Sequence, residues 1–304
     1  MTVARNCGKR DFLTLLDFSA EELAAIVQRA RSLKQDPSPK TLTGKTGVAM
    51  FEMKSTRTRV AFEAGMAQLG GHMVMLSHQD SQLGRGEPVE DTARVLSGMV
   101  DVIVIRTGDQ AQIEQLAETA SIPVINAMST QYHPCQLLAD VQTYEELRGS
   151  ITGATVAFVG DGYNMCHSYI NAARQWGFNL KVASPEGYRP DPELVESCNN
   201  VQLVETPQEA VEKADLVVTD VWSSMGHEGE QDSRLSVFNG YQITADLLDL
   251  ASRDTLLMHC LPAHRGEEVS EDLLDDPRSV VFEEAGNRLH SQKALLEFVI
   301  NGGW

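Results

Sequence analysis

The sequence lacks the long apolar runs of a membrane protein and the paired cysteines of a disulfide-rich one. No stretch of the 304 residues approaches the roughly 18 consecutive apolar residues that a membrane span needs. The five cysteines are scattered, odd in number and form no Cys-x-x-Cys pair, a pattern typical of reduced thiols. The opening MTVARNCGKRDFL also lacks the apolar core of a secretory signal. We therefore expect a cytoplasmic protein with no membrane partner.

Positive charge is scarce as well. The chain has 25 Lys and Arg against 43 Asp and Glu, a formal net charge of −18. Such a charge repels nucleic acid and anionic lipid, so neither is an expected partner. A phosphate-bearing ligand would then have to be held by locally concentrated basic groups or by helix N-termini.

What the chain does contain is an alternation of short apolar runs with longer helical patterns, over a length sufficient for two domains. The predicted strands are Val48–Phe51, His72–Leu76, Val102–Ile105, Pro123–Asn126, Thr155–Val159, Leu180–Ala183, Val201–Val204, Leu216–Thr219, Thr255–Met258 and Val280–Phe282. The predicted helices are Ser19–Leu33, Thr56–Leu69, Glu90–Met99, Ile113–Thr119, Cys135–Leu147, Ser168–Trp176 and Ser291–Ile300. This alternation is typical of parallel sheets covered by helices on both faces. It predicts the α/β class, with two doubly wound parallel-sheet domains that meet near residues 148–150.

Ligands of such sheets bind beyond the carboxyl ends of the strands, and the polar residues at those ends are unusual. The segment Ser55–Arg59 follows the first predicted strand and opens a helix. Two arginines, three hydroxyls and the positive end of a helix form a candidate phosphate site. Simple capping by Ser55 with solvated arginines is the alternative, although a cap requires fewer such groups.

A second candidate follows the fourth predicted strand, where the sequence reads His133-Pro134-Cys135-Gln136. The imidazole and the amide, three residues apart, could bind the oxygen and the amino group of a small planar ligand. Alternatively, the segment is only a polar helix entry with proline in its first turn.

In the second half, Gly160–Asn164 follows a strand but fails the spacing of a dinucleotide fingerprint, since position 165 is Met. A loop whose Asn164 binds a substrate is the better interpretation. Asp220 also follows a strand and could bind an ammonium group, or it is a solvated acid. The segment His259–His264 suggests a metal site or a nucleophilic Cys260, but it lacks matching ligands elsewhere and an activating base.

Taken together and in this order, these motifs resemble those of the carbamoyltransferase family. The resemblance covers nearly the whole chain, from about Phe12 to the C-terminal helix. Ser224-Met225-Gly226 together with His259-Cys260-Leu261-Pro262 makes the sequence similar to the ornithine carbamoyltransferases within that family. The aspartate carbamoyltransferases share only the first two motifs.

The resemblance implies a fold of two domains joined by two interdomain helices. The carbamoyl-phosphate-binding domain would span residues 1–148, with a C-terminal helix at about 287–304 packing back on it, and the ornithine-binding domain would span residues 149–286. It also implies a homotrimer or a multiple of one, because the family is built on trimers. Neither a cofactor nor a metal is expected.

The family's functional residues can be carried over one at a time. Carbamoyl phosphate would be bound by Ser55, Thr56, Arg57, Thr58, Arg106, His133, Pro134, Cys135, Gln136, Cys260, Leu261 and Arg288, with Gln82 supplied to a neighbouring subunit's site. Ornithine would be bound by Asn164, Asp220, Ser224 and Met225. The catalytic residues would be Arg57, Arg106, His133, Asp220 and Cys260.

The implied reaction transfers the carbamoyl group of carbamoyl phosphate to L-ornithine, giving L-citrulline and phosphate, in arginine biosynthesis. Transfer to acetylornithine or putrescine and a non-catalytic regulatory role are the alternatives. Two positions depart from the family pattern: Tyr163, where Asn is common, and Gly286, where Glu is usual. The first changes the environment of Asn164, and the second changes the approach to Arg288.

Overall fold

The computed structural model describes residues 8–77, 86–223 and 231–303, without the side chains of residues 231 and 232. The chain divides into two compact units. Unit 1 comprises Met1–Leu138 and Arg288–Trp304, and unit 2 comprises Ala139–Asn287. Both points of division lie inside helices rather than in linkers.

Unit 1 contains a four-stranded parallel sheet with the strand order β2-β1-β3-β4. Its strands are β1 (Thr46–Phe51), β2 (His72–Ser77), β3 (Val102–Arg106) and β4 (Val124–Met128). The chain moves from β1 to β2 on one side and then crosses to place β3 on the other side of β1. The topological switch point therefore lies between the carboxyl ends of β1 and β3.

Unit 2 contains a five-stranded parallel sheet with the order β7-β6-β5-β8-β9. Its strands are β5 (Thr155–Val159), β6 (Asn179–Ala183), β7 (Val201–Val204), β8 (Leu216–Thr219) and β9 (Leu256–His259). Here the direction reverses between β5 and β8, which defines a second switch point. The predicted α/β class with two doubly wound parallel sheets is confirmed.

The helices begin and end with conventional signals. Ser19 accepts a hydrogen bond from Glu22 N–H, while the Glu22 carboxylate accepts one from Ser19 N–H, so a capping box starts the first helix. Gly177 ends a helix of unit 2 in the left-handed conformation. The helices are α1 (Ala20–Gln35), α2 (Arg57–Gln68), α3 (Val89–Ser97), α4 (Gln110–Thr119), α5 (Pro134–Arg148), α6 (Asn164–Trp176), α7 (Pro192–Glu196), α8 (Pro207–Val211), α9 (Gln231–Val237), α10 (Ala245–Leu248) and α11 (Val281–Asn301).

The predicted strand Val280–Phe282 is wrong. Ser279 forms an isolated β-bridge with Leu257, and Val280 N–H donates a hydrogen bond to Leu257 O. Helix α11 begins at the next residue, Val281. The β-branched and aromatic triplet misled the prediction. Two glutamates in the first turn of α11, which interact favourably with the positive end of a helix, favour helix instead.

Each sheet has its own apolar core. One cluster in unit 1 packs the inward faces of β1, β3 and β4 against α3 and α4, and one in unit 2 packs β5, β8 and β9 against α8 and α10. These cores fix the strand ends on which the candidate site residues lie. Among the described residues, we find no helix that combines the length and the apolar character needed to span a membrane.

Candidate functional sites

The candidate phosphate-site residues of unit 1 lie at its topological switch point. Phe51 at the end of β1 is paired with Arg106 at the end of β3. Helix α2 starts at Arg57, six residues beyond Phe51, and the Ser55 hydroxyl accepts a hydrogen bond from Thr58 N–H at 3.3 Å. The capping role of Ser55 and its place beside an anion site are therefore compatible, because both use the same helix N-terminus.

Two buried arginines converge on one hydroxyl oxygen in unit 1. Arg106 Nη1 lies 3.5 Å from Thr58 Oγ1, and Arg288 Nη2 donates to the same oxygen at 3.1 Å. Arg288 Nη1 also donates to Gln136 Oε1. All four side chains are at most 5% exposed. Two buried guanidinium groups this close to one another favour an anion between or beside them.

His133 is held as a neutral imidazole in this environment. Burial lowers its pKa well below 6.5, and the positive charges of Arg288, Arg106 and Arg57 lower it further. A neutral ring has one donor and one acceptor nitrogen, so His133 can bind the oxygen of a polar ligand without adding charge. The charge of Arg57 contributes to the same lowering of the His133 pKa, so Arg57 also lies in the neighbourhood of this ring.

Cys135 is not a nucleophile. Its thiol is buried and donates to Asn126 O at 3.3 Å, and burial raises its pKa to about 12. A thiol reacts as the thiolate, so this group is inert at neutral pH. Pro134, one position earlier, starts helix α5, and Gln136 N–H donates to His133 O at 3.1 Å.

In unit 2 the candidate ligand groups lie beyond β5, β8 and β9. Gly160 follows β5, and helix α6 begins at the buried Asn164. A Cβ atom at Gly162 would lie 2.3 Å from the Pro190 nitrogen, so glycine is required there by backbone packing. That structural requirement explains the partial glycine pattern without a dinucleotide. Tyr163 is the N-cap residue of α6 and makes no side-chain cap bond.

Asp220 and Cys260 form a hydrogen-bonded pair. The Cys260 thiol donates to Asp220 Oδ1 at 3.0 Å, and Val221 N–H donates to the same oxygen at 2.8 Å. Burial raises the pKa of Cys260 well above 9.0, and the negative charge of Asp220 raises it further. Cys260 is therefore a neutral thiol that can donate a hydrogen bond but is poorly suited to nucleophilic attack.

The turn after β9 is organised by His259, which is fully buried. Its Nδ1 accepts a hydrogen bond from Leu261 N–H at 2.9 Å, so its proton lies on Nε2, which donates to Glu268 Oε1 at 3.0 Å. Glu284 Oε2 accepts from His259 N–H at 2.9 Å. Both ring nitrogens and the backbone amide of His259 are thus engaged, which places Cys260 and Leu261 in a defined turn.

A buried ion pair supports the β5 and β8 ends. Arg234 Nη1 bonds Asp161 Oδ2 and also donates to Trp222 O at 2.7 Å, and the guanidinium lies 4.8 Å from the ring centre of Tyr188. Arg234 belongs to α9, and neither its spacing nor its neighbours in the sequence signal this role. The same is true of Glu268 and Glu284, which the sequence interpretation did not identify as partners of the His259 turn.

The predicted site residues divide between the two units. Ser55, Thr56, Arg57, Thr58, Arg106, His133, Pro134, Cys135, Gln136 and Arg288 belong to unit 1, and Asn164, Asp220, Cys260 and Leu261 belong to unit 2. Thr56 is exposed and makes no side-chain cap bond. Gln82, Ser224 and Met225 lie outside the described residues.

Family comparison assigns both halves of the chain. Residues 10–146 match the carbamoyl-P binding domain of aspartate/ornithine carbamoyltransferase, and residues 152–299 match its Asp/Orn binding domain. The chain belongs to the aspartate/ornithine carbamoyltransferase family.

Individual relatives narrow the comparison to one branch of that family. The chain is 54% identical to the ornithine carbamoyltransferase of Chromohalobacter salexigens over 299 residues, which cover 96% of this chain and 98% of the relative. It is 55% identical to that of Nitrosococcus oceani, with 96% and 98% covered. The structure of the Pyrococcus furiosus ornithine carbamoyltransferase aligns with a TM-score of 0.92 at 46% identity, covering 98% of this chain and 99% of that one.

Proposed function

We propose that the chain transfers the carbamoyl group of carbamoyl phosphate to the δ-amine of L-ornithine, giving L-citrulline and phosphate. The observation that carries this proposal is the convergence of Arg106 and Arg288 on Thr58 Oγ1, at the switch point of a parallel sheet. A dianionic phosphate suits such a site. The similarity to ornithine carbamoyltransferases over almost the full chain supports the same reaction.

The residues of unit 1 bind carbamoyl phosphate in this proposal. The hydroxyls of Ser55, Thr56 and Thr58 and the guanidinium groups of Arg57 and Arg106 bind the phosphate. The carbamoyl group is bound by His133, Gln136 and Arg288 together with the backbone at Pro134 and Cys135, and by the backbone at Cys260 and Leu261 of unit 2. Gln82 completes the site of a neighbouring subunit.

The arrangement of Gln136 explains how an amide could recognise a carbamoyl group. Its oxygen accepts from Arg288, so the amide is oriented with its NH2 group toward other acceptors. The carbamoyl oxygen is such an acceptor. The neutral His133 can donate to the same ligand from its protonated ring nitrogen, and its lowered pKa means that it does so without adding to the positive charge of the arginines.

Ornithine is bound by Asn164, Asp220, Ser224 and Met225. A carboxylate at the end of β8 provides a charge-assisted partner for an ammonium group of the amino acid. The Cys260 thiol, whose proton points to Asp220, keeps that carboxylate hydrogen-bonded and oriented.

The chemistry requires positioning and charge stabilisation rather than a covalent enzyme intermediate. The δ-nitrogen of ornithine forms a bond to the carbamoyl carbon, and the bond from that carbon to the phosphate oxygen breaks. Phosphate leaves with the electron pair, and the proton lost from the amine passes to it. Arg57, Arg106 and His133 stabilise the negative charge that develops on the carbonyl and phosphate oxygens.

One assay separates this proposal from its rivals. The protein is incubated with carbamoyl phosphate and, in separate reactions, with ornithine, acetylornithine, putrescine or aspartate, and the phosphate and the ureido product are both measured. We expect turnover with ornithine only. Turnover with another amine would reassign the substrate, and no turnover with any would favour a regulatory role.

We further propose a homotrimer, or a multiple of one, in the cytoplasm and in arginine biosynthesis. Exposed apolar side chains of unit 1 support self-association: Val60, Val74, Val95 and Met99 are between 38% and 70% exposed. Light scattering during gel filtration measures the molecular mass. A mass of one 33.4 kDa chain would contradict the assembly.

A further inference from the structure

A cluster of potential metal ligands lies on the loop after the His259 turn, outside the residues assigned to substrates. Single ligand atoms of His264, Glu267 and Glu268 all lie within 4.8 Å of one another. The three residues come from a five-residue stretch, and Glu267 N–H donates to His264 O at 2.9 Å, which closes the loop on itself.

Glu268 is the buried residue of this cluster, and only one of its two carboxylate oxygens is hydrogen-bonded within the described part of the chain. Glu268 is fully buried, and its Oε1 accepts from His259 Nε2 at 3.0 Å and from His264 N–H at 2.6 Å. Its other oxygen, Oε2, is buried and has no hydrogen-bond partner among the described residues, and the same holds for His264 Nδ1. A buried carboxylate oxygen without a partner costs free energy, which a cation at that position would offset.

The spacing of the outer two ligands fits a tetrahedral metal ion. His264 Nδ1 and Glu267 Oε2 are 3.4 Å apart. Two ligands about 2.05 Å from a tetrahedral zinc ion lie about 3.3–3.4 Å apart. Imidazole nitrogens and carboxylate oxygens are both zinc ligands, and three protein ligands with a water molecule in the fourth position is the arrangement of open zinc sites.

We propose that His264, Glu267 and Glu268 bind a divalent transition-metal ion such as Zn²⁺. Glu268 then links the metal ion to the His259 turn, because its Oε2 binds the metal while its Oε1 accepts the hydrogen bond of His259 Nε2–H. His259 in turn accepts the Leu261 amide, so metal binding stabilises the turn that carries Cys260 and Leu261.

A nearby set of groups is a weaker candidate for the same ion. Ligand atoms of Asp220, His259 and Cys260 also lie within 4.8 Å of one another. However, both His259 ring nitrogens are engaged, and the Cys260 thiol would have to lose a proton whose pKa is raised well above 9.0. The proposed site needs neither change.

Calorimetric titration of the full chain with Zn²⁺ tests the proposal. We expect one ion per chain and at least about a tenfold loss of affinity in His264→Ala. Two matched controls, Cys260→Ser and His72→Ala, should bind as the native chain does. His72 is exposed on β2 of unit 1, and it controls for the removal of any histidine.

Cobalt spectroscopy identifies the ligands independently of affinity. Bound Co²⁺ should show visible d–d absorption without a thiolate charge-transfer band, and His264→Ala should remove that absorption. Equal Zn²⁺ affinity in His264→Ala, or loss of binding in Cys260→Ser with a thiolate band, would overturn the proposal. Circular dichroism of His264→Ala confirms that a loss of binding is not a loss of fold.

Discussion

The two units use the same topology to build opposite electrostatic environments. In unit 1 the switch point gathers Arg106 and Arg288 around one hydroxyl, and burial together with their charges keeps His133 neutral. In unit 2 the equivalent strand ends hold Asp220 against a thiol whose pKa is raised. A doubly wound sheet therefore fixes where a ligand binds, while the residues at the strand ends determine the charge of that ligand.

The largest expected effect tests the cationic side of this comparison. Arg57→Ala should lower kcat/KM by about 10²–10³-fold or more, because one charge-stabilising donor is worth about that factor. Steady-state kinetics with both substrates measures it. The matched control is Arg59→Ala, since Arg59 is exposed and pairs only loosely with Glu63 at 3.9 Å. Activity of Arg57→Ala above about a tenth of native would contradict its proposed role.

The next effect tests the anionic side. Asp220→Asn should raise KM for ornithine by about 10–100-fold, in line with about 1.5–3 kcal/mol for a hydrogen bond to a charged group. The dissociation constant of carbamoyl phosphate should not change. The substitution removes a negative charge beside Cys260, so the pKa of that thiol falls and its alkylation rate at a given pH rises. The exposed Asp246 provides the control, Asp246→Asn.

If Asp220→Asn weakened the binding of carbamoyl phosphate as much as it weakened the binding of ornithine, the contrast between the two units would be lost. A slower alkylation of Cys260 would have the same consequence, because it would mean that Asp220 does not raise the thiol pKa.

A smaller effect concerns the acid stability of unit 1. The folded-state pKa of His133 lies well below 6.5, so below about pH 6.5 the unfolded chain binds a proton that the folded chain does not. Stability contributed by the neutral ring is complete above that pH and is lost as the pH falls toward the folded-state pKa. His133→Gln should remove this contribution, which is at most about 2 kcal/mol of the stability difference between pH 7 and pH 5 for an unfolded-state pKa of about 6.5. Urea unfolding at both pH values measures this, and an equal difference in both proteins would count against it.

The smallest effect compares a glycine in a helix of each unit. A Cβ at Gly286 in α11 would meet no atom of the described part of the chain within 4 Å, so Gly286→Ala should stabilise the protein by about 0.5–1 kcal/mol. A Cβ at Gly65 in α2 would lie 3.0 Å from Lys293 Cγ, and the Lys293 amine is fixed by Leu33 O, Pro37 O and Gln68 Oε1. Gly65→Ala should therefore give no such gain. Thermal unfolding distinguishes the two, and equal shifts would show that packing at Gly65 does not matter.

The sheets could be predicted from the sequence because each strand is a short, nearly continuous apolar run. The one strand prediction that failed, at 280–282, rested on three apolar residues. Helix α11 begins within them, because the glutamates that follow favour a helix N-terminus. The C-terminal helix was predicted from Ser291 and begins ten residues earlier, because Gly286 and the polar residues around it hide its helical pattern.

The candidate sites were predictable only in part. Residues that end a strand or directly follow one, such as Arg106 and Asp220, can be recognised because topology brings strand ends together. The roles of Arg234, Glu268 and Glu284 could not be recognised in this way. Only tertiary packing brings these side chains to their partners, Asp161 and His259. The proposed metal-ligand role of His264 is of this kind, since it depends on the conformation of a loop and on one oxygen of Glu268.

Unit 1 is assembled from the two ends of the chain, and this affects when the protein can become functional during synthesis. Residues 139–287 form an uninterrupted segment, so unit 2 has its complete sequence as soon as that segment leaves the ribosome. Unit 1 begins first but lacks residues 288–304 until all of unit 2 has been synthesised. A nascent chain that has just completed unit 2 therefore has Thr58 and Arg106 but not Arg288, and its phosphate site is completed only after unit 2 has been made.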